Sequence, residues 1–199
     1  MVRPKLEFWF EFASTYSYLS AMRLPAMAQA AGVDVVWRPF LLGPIFNSQG
    51  WKTSPFNIYQ AKGNYMWRDM ARRAERFGLS VEKPDPFPQN SLLAARVAQA
   101  APEGAQKVAF CQNVYLMEFS EGQDISDPEV IAACVELAKL PEGIIEAAQS
   151  DENKHALRLA TEEAGRRGIF GAPNFVVSEE LFWGDDRLEE ALEWAVRDG

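Results

Sequence analysis

The stretch FEFASTYSYLS, residues 10–20, joins a predicted strand to a predicted helix. Residues 5–12 alternate Leu and Phe with Glu and Trp, which is typical of a β-strand. Residues 16–31 are rich in Ala, Leu and Met and predict a helix that Gly32 ends. Ser14 therefore lies at the mouth of a helix, where its hydroxyl is either an ordinary cap or the polar group of a site.

Outward from this stretch, the element order indicates one mixed sheet. A second strand is predicted at 33–40, and a β–α–β unit of this length with a helical crossover requires parallel strands. Residues 171–177 and 181–184 predict a hairpin, and a last helix follows it. Together the two ends of the chain predict four strands with helices on both faces.

Between these ends lies a block of about 90 residues that is predicted to be helical. The chain is therefore predicted to have an α/β, thioredoxin-like fold (βαβ…ββα) with a large all-helical insertion between the halves. The thioredoxin-like domain is predicted at 1–50 and 150–199, and the inserted helical subdomain at 51–149. Residues 41–61 are rich in Gly, Pro, Asn and Ser as well as aromatic residues, and they predict a loop that covers something.

Composition limits the possible partners. The chain has 199 residues, 48% of them hydrophobic, and a formal net charge of −8. Such an acidic protein is poorly suited to bind nucleic acid or an anionic membrane. No signal sequence is evident, and no stretch approaches the roughly 20 apolar residues of a membrane span. We expect a cytoplasmic protein without nucleic-acid or membrane partners.

Thiol and imidazole groups are scarce. Cys111 and Cys134 lie in apolar, helix-patterned segments, which predicts buried thiols, and no C-x-x-C pair is present. The single histidine, His155, lies in a charged helical stretch and is predicted on the surface. We therefore expect no metal site and no histidine base to activate Ser14 as a nucleophile.

Three segments remain as candidates for chemistry. In open α/β sheets, ligands gather at the carboxyl ends of the parallel strands, which is where Ser14 is predicted. Ser14 and Ser17 stand where a thioredoxin-fold redox protein carries its two cysteines, so dithiol chemistry by the protein itself is excluded. The amides and dipole of the helix start would still stabilise a thiolate that a ligand supplies.

The other two segments lie near the C-terminus. Ala172 and Pro173 precede a predicted strand and fit a cis X-Pro turn, whose backbone would pair with an extended peptide. Asp185 and Asp186 stand at the start of the last helix, as caps or as partners of a zwitterionic amino-acid end.

Five motifs occur in order along the chain and resemble one family, the glutathione-dependent 2-hydroxychromene-2-carboxylate isomerases with the related kappa-class glutathione transferases. They are F-x-F-x-S-x-Y-S-Y-L (10–19), R-P-F-L-L-G-P-I-F (38–46), A-K-G-x-Y-M-W-R-D (61–69), G-I-F-G-A-P-x-F-V-V (168–177) and F-W-G-x-D-R-L (182–188). The resemblance implies that Ser14 binds the glutathione sulfur and that Ala172, before Pro173, pairs with the cysteinyl backbone. It also implies that Asp186, with Asp185 beside it, holds the γ-glutamyl group and that Lys62 meets a glutathione carboxylate.

The same resemblance implies an isomerase of aromatic compound degradation, with glutathione as cofactor and a homodimeric state. Arg38, Lys62 or Asn57 would meet the carboxylate of a small aromatic substrate. Aromatic side chains would wall its ring, namely Phe46, Trp51, Phe56, Tyr65 and Trp67. The alternatives are a kappa-like glutathione transferase or peroxidase, and a non-catalytic thioredoxin-fold protein that binds peptides. Two departures from the family pattern favour the last alternative: Thr15 replaces a proline, and Thr53 replaces an asparagine of the transferases.

Overall fold

The computed structural model describes residues 3–198 and contains one four-stranded sheet. The strand order is β2-β1-β3-β4; β1 and β2 are parallel, and β3 is antiparallel to both of its neighbours. The strands are β1 (Lys5–Phe10), β2 (Asp34–Pro39), β3 (Asn174–Val177) and β4 (Glu180–Trp183). With a helical block between the βαβ and ββα halves, this arrangement confirms the predicted thioredoxin-like α/β fold.

Strand β1 is the central element and decides where the site lies. Leu6, Phe8 and Phe10 alternate on one face and are completely buried, which is the reason for the period-two pattern of the sequence. The strand ends at Phe10, two residues before its predicted end. There the chain turns, and the amide of Ser14 donates to the carbonyl of Glu11 at 3.1 Å.

The first helix begins one residue before its predicted start and ends at its predicted end. Helix α1 runs through Pro25 without interruption and ends at Gly32, whose left-handed backbone (φ 70°) favours glycine. The helices are α1 (Thr15–Ala31), α2 (Leu42–Ser48), α3 (Pro55–Ile58), α4 (Gln60–Phe77), α5 (Leu92–Ala100), α6 (Ala105–Phe119), α7 (Pro128–Leu137), α8 (Ile144–Ala148), α9 (Asp151–Arg166) and α10 (Leu188–Asp198), which follows a 3₁₀ turn at Asp185–Arg187.

The prediction of a loop at 41–61 is wrong, because this segment contains α2 and α3. Helix α2 is seven residues long, and Ile45 buries its side chain in a core that includes Trp9 and Phe40. Helix α3 is a single turn that begins with the Ser54 hydroxyl as its cap. Helices this short are stabilised by tertiary contacts and caps more than by the helix propensity of their residues. The Gly- and Pro-rich composition of 41–61 therefore gave no indication of them.

Two hydrophobic cores lie on opposite faces of the sheet. The smaller includes Trp9, Phe40 and Ile45 and is covered by α2 and α9. The larger runs from β1 and α1 into α5, α6 and α7 without a break. The division into 1–50 with 150–199 and 51–149 stays a prediction about chain organisation.

Both cysteines are free and buried, as predicted. Burial raises the pKa of the Cys134 thiol to about 11 and that of Cys111 still further. Over residues 3–198, no helix is both long and apolar enough to cross a membrane.

Candidate functional site

Ser14 is both a helix cap and the meeting point of two distant segments. Its hydroxyl oxygen accepts from the amide of Ser17 at 3.3 Å, which satisfies one of the free amides of the first turn. The same hydroxyl donates to the carbonyl of Ala172 at 3.1 Å, 158 residues away in sequence. The peptide bond between Ala172 and Pro173 is cis, as predicted. The structure therefore brings the helix start and the proline loop together at one hydroxyl.

The start of α1 is suited to an anion. Its first turn contains no acidic side chain, so nothing within the helix competes for the positive end of its dipole. Thr15 is 2% exposed, so its side chain belongs to the core, and it keeps the amide that a proline would lack. Ser17 is completely buried and its hydroxyl has no hydrogen-bond partner within residues 3–198, so Ser14 is the more accessible of the two hydroxyls.

The proline loop is held from both sides. The buried side chain of Asn174 donates to the carbonyl of Gly171 at 2.6 Å, and the amide of Gly184 donates to the carbonyl of Pro173 at 3.0 Å. The indole of Trp183 lies against Gly171, where an added Cβ would stand 2.7 Å from its ring nitrogen. These contacts orient Ala172, which is only half-buried, towards α1.

Asp185 and Asp186 have different environments although they are neighbours in sequence. Asp185 is 1% exposed, and its carboxylate accepts from Ser20 at 2.9 Å, from Arg23 at 2.7 Å and from Arg73. The cap position of the 3₁₀ turn is occupied by Gly184, and α10 begins only at Leu188, so neither aspartate stands at a cap position and the predicted capping role is wrong. Since the oxygens of Asp185 are already engaged inside the protein, Asp186, which is exposed, is the carboxylate that a ligand can reach.

Arg73 belongs to the same buried ion cluster, which consists of Asp185, Arg23 and Arg73. The neighbouring carboxylate of Asp185 raises the pKa of the Arg73 guanidinium against the opposing effect of burial. The guanidinium groups of Arg23 and Arg73 both lie over the ring of Phe77, at 4.0 and 5.7 Å. Helices α1 and α4 are thereby tied to the start of α10, and the sequence offered no signal for this connection.

The predicted pocket residues fall into separate groups. Lys62 is exposed on α4 and its amine lies 5.7 Å from the ring of Tyr59. Asn57 donates to Thr53 at 3.3 Å and to the carbonyl of Phe87 at 3.2 Å. Since Thr53 is already the acceptor of Asn57, these two side chains form one polar pair at the edge of the helical block.

The aromatic residues predicted to wall a substrate do not form a single cluster. Phe46 packs on Trp51 with ring centroids 5.8 Å apart. Trp67 meets the ring of Phe87 at 4.9 Å, a partner that the sequence did not suggest. Phe56 packs against the larger core, and Tyr65 is 62% exposed.

One link between α1 and α4 went unnoticed in the sequence. Tyr16, in the first turn of α1, donates its hydroxyl to the carboxylate of Asp69 at 3.0 Å. The burial of the phenol, with Asp69 beside it, raises the pKa of Tyr16. This bond holds the helix that carries Lys62 and Trp67 near the start of α1.

Arg38 and His155, two further candidate residues, form hydrogen bonds to residues outside the site around Ser14. Arg38 lies on β2 and donates to Glu7 at 3.2 Å, which neutralises its charge locally. His155 is exposed on α9 and hydrogen-bonds to Arg158 at 2.7 Å, and its position confirms the predicted surface histidine. Ser14 therefore gains no base from His155.

Buried acids stand behind the helix start. Glu11 is 7% exposed and accepts a hydrogen bond from the Ser91 hydroxyl. Burial raises the pKa of Glu11 to about 7, against the opposing effect of the bonds from Ser91 and from the amide of Ala13. Glu118 is completely buried as well, and burial raises its pKa well above the ordinary value. The alternation in 5–12 predicted a strand only, and the burial of Glu11 was not predicted from the sequence.

A comparison with known families matches this architecture. Residues 5–194 match the family described as DSBA-like thioredoxin domain, and the chain belongs to that family. Within it, the chain is 27% identical to a 2-hydroxychromene-2-carboxylate isomerase of Sphingobium xenophagum, an alignment that covers 92% of this chain and 94% of the relative. It is 26% identical to the human glutathione S-transferase kappa 1, over 92% of this chain and 87% of the relative.

The fold is shared with a solved structure. A 2-hydroxychromene-2-carboxylate isomerase superposes with a TM-score of 0.86 and 24% identity, covering 98% of this chain and 97% of the other. The relatives matched by sequence are isomerases and glutathione transferases, which supports an enzyme.

Proposed function

We propose that this protein is a glutathione-dependent cis–trans isomerase of the 2-hydroxychromene-2-carboxylate / trans-o-hydroxybenzylidenepyruvate type. One observation carries the proposal: the hydroxyl of the half-buried Ser14 caps α1 and lies 3.1 Å from the carbonyl of Ala172 in the cis-proline loop. A protein thiol is missing from both positions of the motif, so the sulfur must come from a bound molecule. The isomerase relatives, 26–27% identical over 92% of this chain, support the same reaction class.

We expect four residues to bind glutathione, namely Ser14, Ala172, Asp186 and Lys62. Ser14 and Ala172 now satisfy each other, so ligand binding would exchange one internal hydrogen bond for several new ones. The Ser14 hydroxyl would turn to donate to sulfur, and the carbonyl and amide of Ala172 would pair with the cysteinyl backbone. The exposed carboxylate of Asp186 would pair with the ammonium group of the ligand, and the exposed amine of Lys62 with a carboxylate.

Glutathione held by Ser14 and Ala172 would supply a thiolate for reversible addition to the conjugated carbon of the substrate. Addition would move the electron pair of the double bond onto the carbonyl oxygen and leave a single bond that can rotate, and loss of the same thiolate would restore the double bond. The chain's own task is to keep that sulfur ionised and oriented. The amides and dipole of α1 favour the negative charge, and the Ser14 hydroxyl adds a hydrogen bond to it. A hydrogen bond to a charged group contributes roughly 1.5–3 kcal/mol, or about ten- to a hundredfold in thiolate fraction.

A kappa-like glutathione transferase or peroxidase is the second candidate. The human kappa relative, aligned over 92% of this chain, favours it. A transferase would conjugate glutathione to a chlorinated aromatic compound and leave the hydroxychromene absorbance unchanged. A peptide-binding protein without catalysis is the third candidate, favoured by Thr15 and Thr53, and it would show neither activity.

The test compares two helix caps. Ser14→Ala and Ser150→Ala each remove a serine cap, since Ser150 accepts from the amide of Asn153 at the start of α9. Each should lower the free energy of unfolding by about 1 kcal/mol. Only Ser14→Ala should lower the isomerase rate, by about ten- to a hundredfold, measured from the absorbance of 2-hydroxychromene-2-carboxylate with glutathione. An equal rate in both variants removes Ser14 from the mechanism, and the absence of heat on titration with millimolar glutathione disproves both enzyme proposals.

A further inference from the structure

A groove runs between α6 and α7 on the surface of the helical block, and the proposed function uses none of the residues that line it. Its volume is about 660 Å³. Its floor consists of apolar side chains from both helices, namely Leu116, Met117, Val130, Ala133 and Leu137. Leu137 is 61% exposed. Single exposed apolar residues are common on protein surfaces, but these five line one continuous groove.

The charges around this groove have one sign. Residues 108–138 contain no Lys, Arg or His, so that all the charged side chains of this segment are carboxylates. These are Glu118, Glu121, Asp124, Asp127, Glu129 and Glu136. Glu121, Asp127 and Glu129 are exposed and form the rim of the groove.

The rim carboxylates are not neutralised by the chain itself. Within residues 3–198, none of the three takes part in a salt bridge, although Asp127 also caps α7 by accepting from the amide of Glu129 at 2.8 Å. Lys107 and Lys139, the nearest bases on either side in the sequence, do not line the groove. The rim therefore keeps a negative charge that a partner can meet.

This charge decides which partner fits. A second copy of the same groove would bring carboxylates against carboxylates, and like charges across an interface disfavour binding. Nucleic acid and an anionic membrane are repelled for the same reason. Lys or Arg side chains would be attracted to the rim, while apolar side chains between them would cover the floor.

The shape of the floor indicates a helical partner. Helix α7 has 10 residues, which corresponds to a length of roughly 15 Å. An amphipathic helix lays the apolar side chains at positions i, i+3 or i+4, and i+7 into such a groove, and these span roughly 11 Å. An extended peptide would instead need the free edge of a sheet for its main-chain hydrogen bonds, and the two walls here are helices.

We propose that the groove between α6 and α7 binds a basic amphipathic helix of another protein. The apolar face of that helix covers Leu116, Val130 and Leu137, and its Lys or Arg side chains face Glu121 and Glu129. Binding depends strongly on salt, because the charged contacts lie at an exposed rim where ions screen them.

The test uses a synthetic helical peptide with leucine at positions i, i+3, i+4 and i+7 and lysine on both sides of that stripe. Fluorescence anisotropy of the labelled peptide measures its affinity for the whole protein at low and at high salt. One control peptide has glutamate in place of each lysine, and another has serine in place of each leucine. Both control peptides should bind at least about tenfold more weakly, because each loses one of the two kinds of contact.

Two pairs of matched variants locate the binding surface. Leu137→Ser and Leu159→Ser each remove an exposed leucine, on α7 and on α9, and only the first should weaken binding, by about tenfold. Glu129→Gln and Glu152→Gln each neutralise an exposed glutamate in the first turn of a helix. Only Glu129→Gln should weaken binding, by roughly two- to fivefold at low salt, and it should reduce the salt dependence.

Several results would overturn the proposal. No binding of the lysine and leucine peptide would reject the site. Equal affinity for the peptide with serine would show attraction by charge alone, and equal effects of Leu137→Ser and Leu159→Ser would place the peptide elsewhere on the protein. Self-association of the wild-type protein that Leu137→Ser abolishes would show that a second copy of this chain covers the groove instead.

Discussion

Replacement of Glu11 by glutamine should change how stability depends on pH. The ordinary pKa of the carboxyl is 4.5, and burial raises it to about 7 in the folded protein. Between these values the folded state keeps a proton that the unfolded state has lost, so the free energy of unfolding falls as pH rises. The interval is about 2.5 pH units, and at about 1.36 kcal/mol per unit we expect the wild-type protein to lose about 3 kcal/mol of its free energy of unfolding across it.

Glutamine stays neutral at every pH in this range and still offers an oxygen to Ser91. In Glu11→Gln the loss of about 3 kcal/mol between about pH 4.5 and 7 should therefore disappear. Urea unfolding followed by circular dichroism at half-unit steps of pH measures the difference between the two proteins. Glu142→Gln, at an exposed position, controls for the removal of a glutamate from the surface.

A second variant separates the two buried acids. Burial raises the pKa of Glu118 well above that of an ordinary glutamate, so its contribution should continue to change above about pH 7. Glu118→Gln should flatten the curve on both sides of that pH, whereas Glu11→Gln should flatten it mainly below. If the slope of Glu11→Gln between about pH 5 and 7 equals that of the wild type, the burial of a proton at Glu11 is refuted.

Three other substitutions have defined outcomes. Asp185→Ala should lower the free energy of unfolding, measured in urea, by roughly 3 kcal/mol, because it removes the buried carboxylate that pairs with both arginines and leaves Arg23 with Glu189 alone. The exposed Asp186→Asn should change it by less than about 0.5 kcal/mol. Equal effects would contradict the buried cluster. Gly171→Ala should force the indole of Trp183 to move, costing roughly 1–3 kcal/mol and shifting the tryptophan fluorescence; an unchanged spectrum and stability would show that the loop has room. Tyr16→Phe should cost roughly 0.5–1.5 kcal/mol in the same unfolding assay, since it removes the hydroxyl bond to α4, and a neutral result would mean that α4 does not need this bond.

Residues close together in the sequence were sufficient to predict the main strands and the first helix. The alternation in 5–12 predicted β1, and Gly32 ended α1, because strand pleating and left-handed backbone depend on residues close in sequence. The parallel pairing of β1 with β2 followed from the helical crossover between them. The cis bond before Pro173 was predicted from its immediate neighbours in the same way.

Only part of the candidate site could be predicted from the sequence. Ser14 and Ala172 were predicted together because the topology of the fold places their segments at one end of the sheet. The single hydrogen bond that joins them depends on three-dimensional placement alone. The aromatic residues at 46–67 were expected to form one wall, and the structure separates them because α2 packs on one core while α4 packs on the other.

The sequence by itself determined the sheet, the position of the hydroxyl at the helix mouth and the absence of a protein thiol there. Only the tertiary structure decided which of two adjacent aspartates is buried, since they are the same residue type and only Asp185 is enclosed by Ser20, Arg23 and Arg73. It likewise decided that Glu11 is buried, because its carboxylate accepts from Ser91, just before α5, and its carbonyl accepts from Tyr115 of α6, and both partners are distant in sequence. Electrostatic free energies depend on burial and on distant partners, and neither quantity is encoded in local sequence.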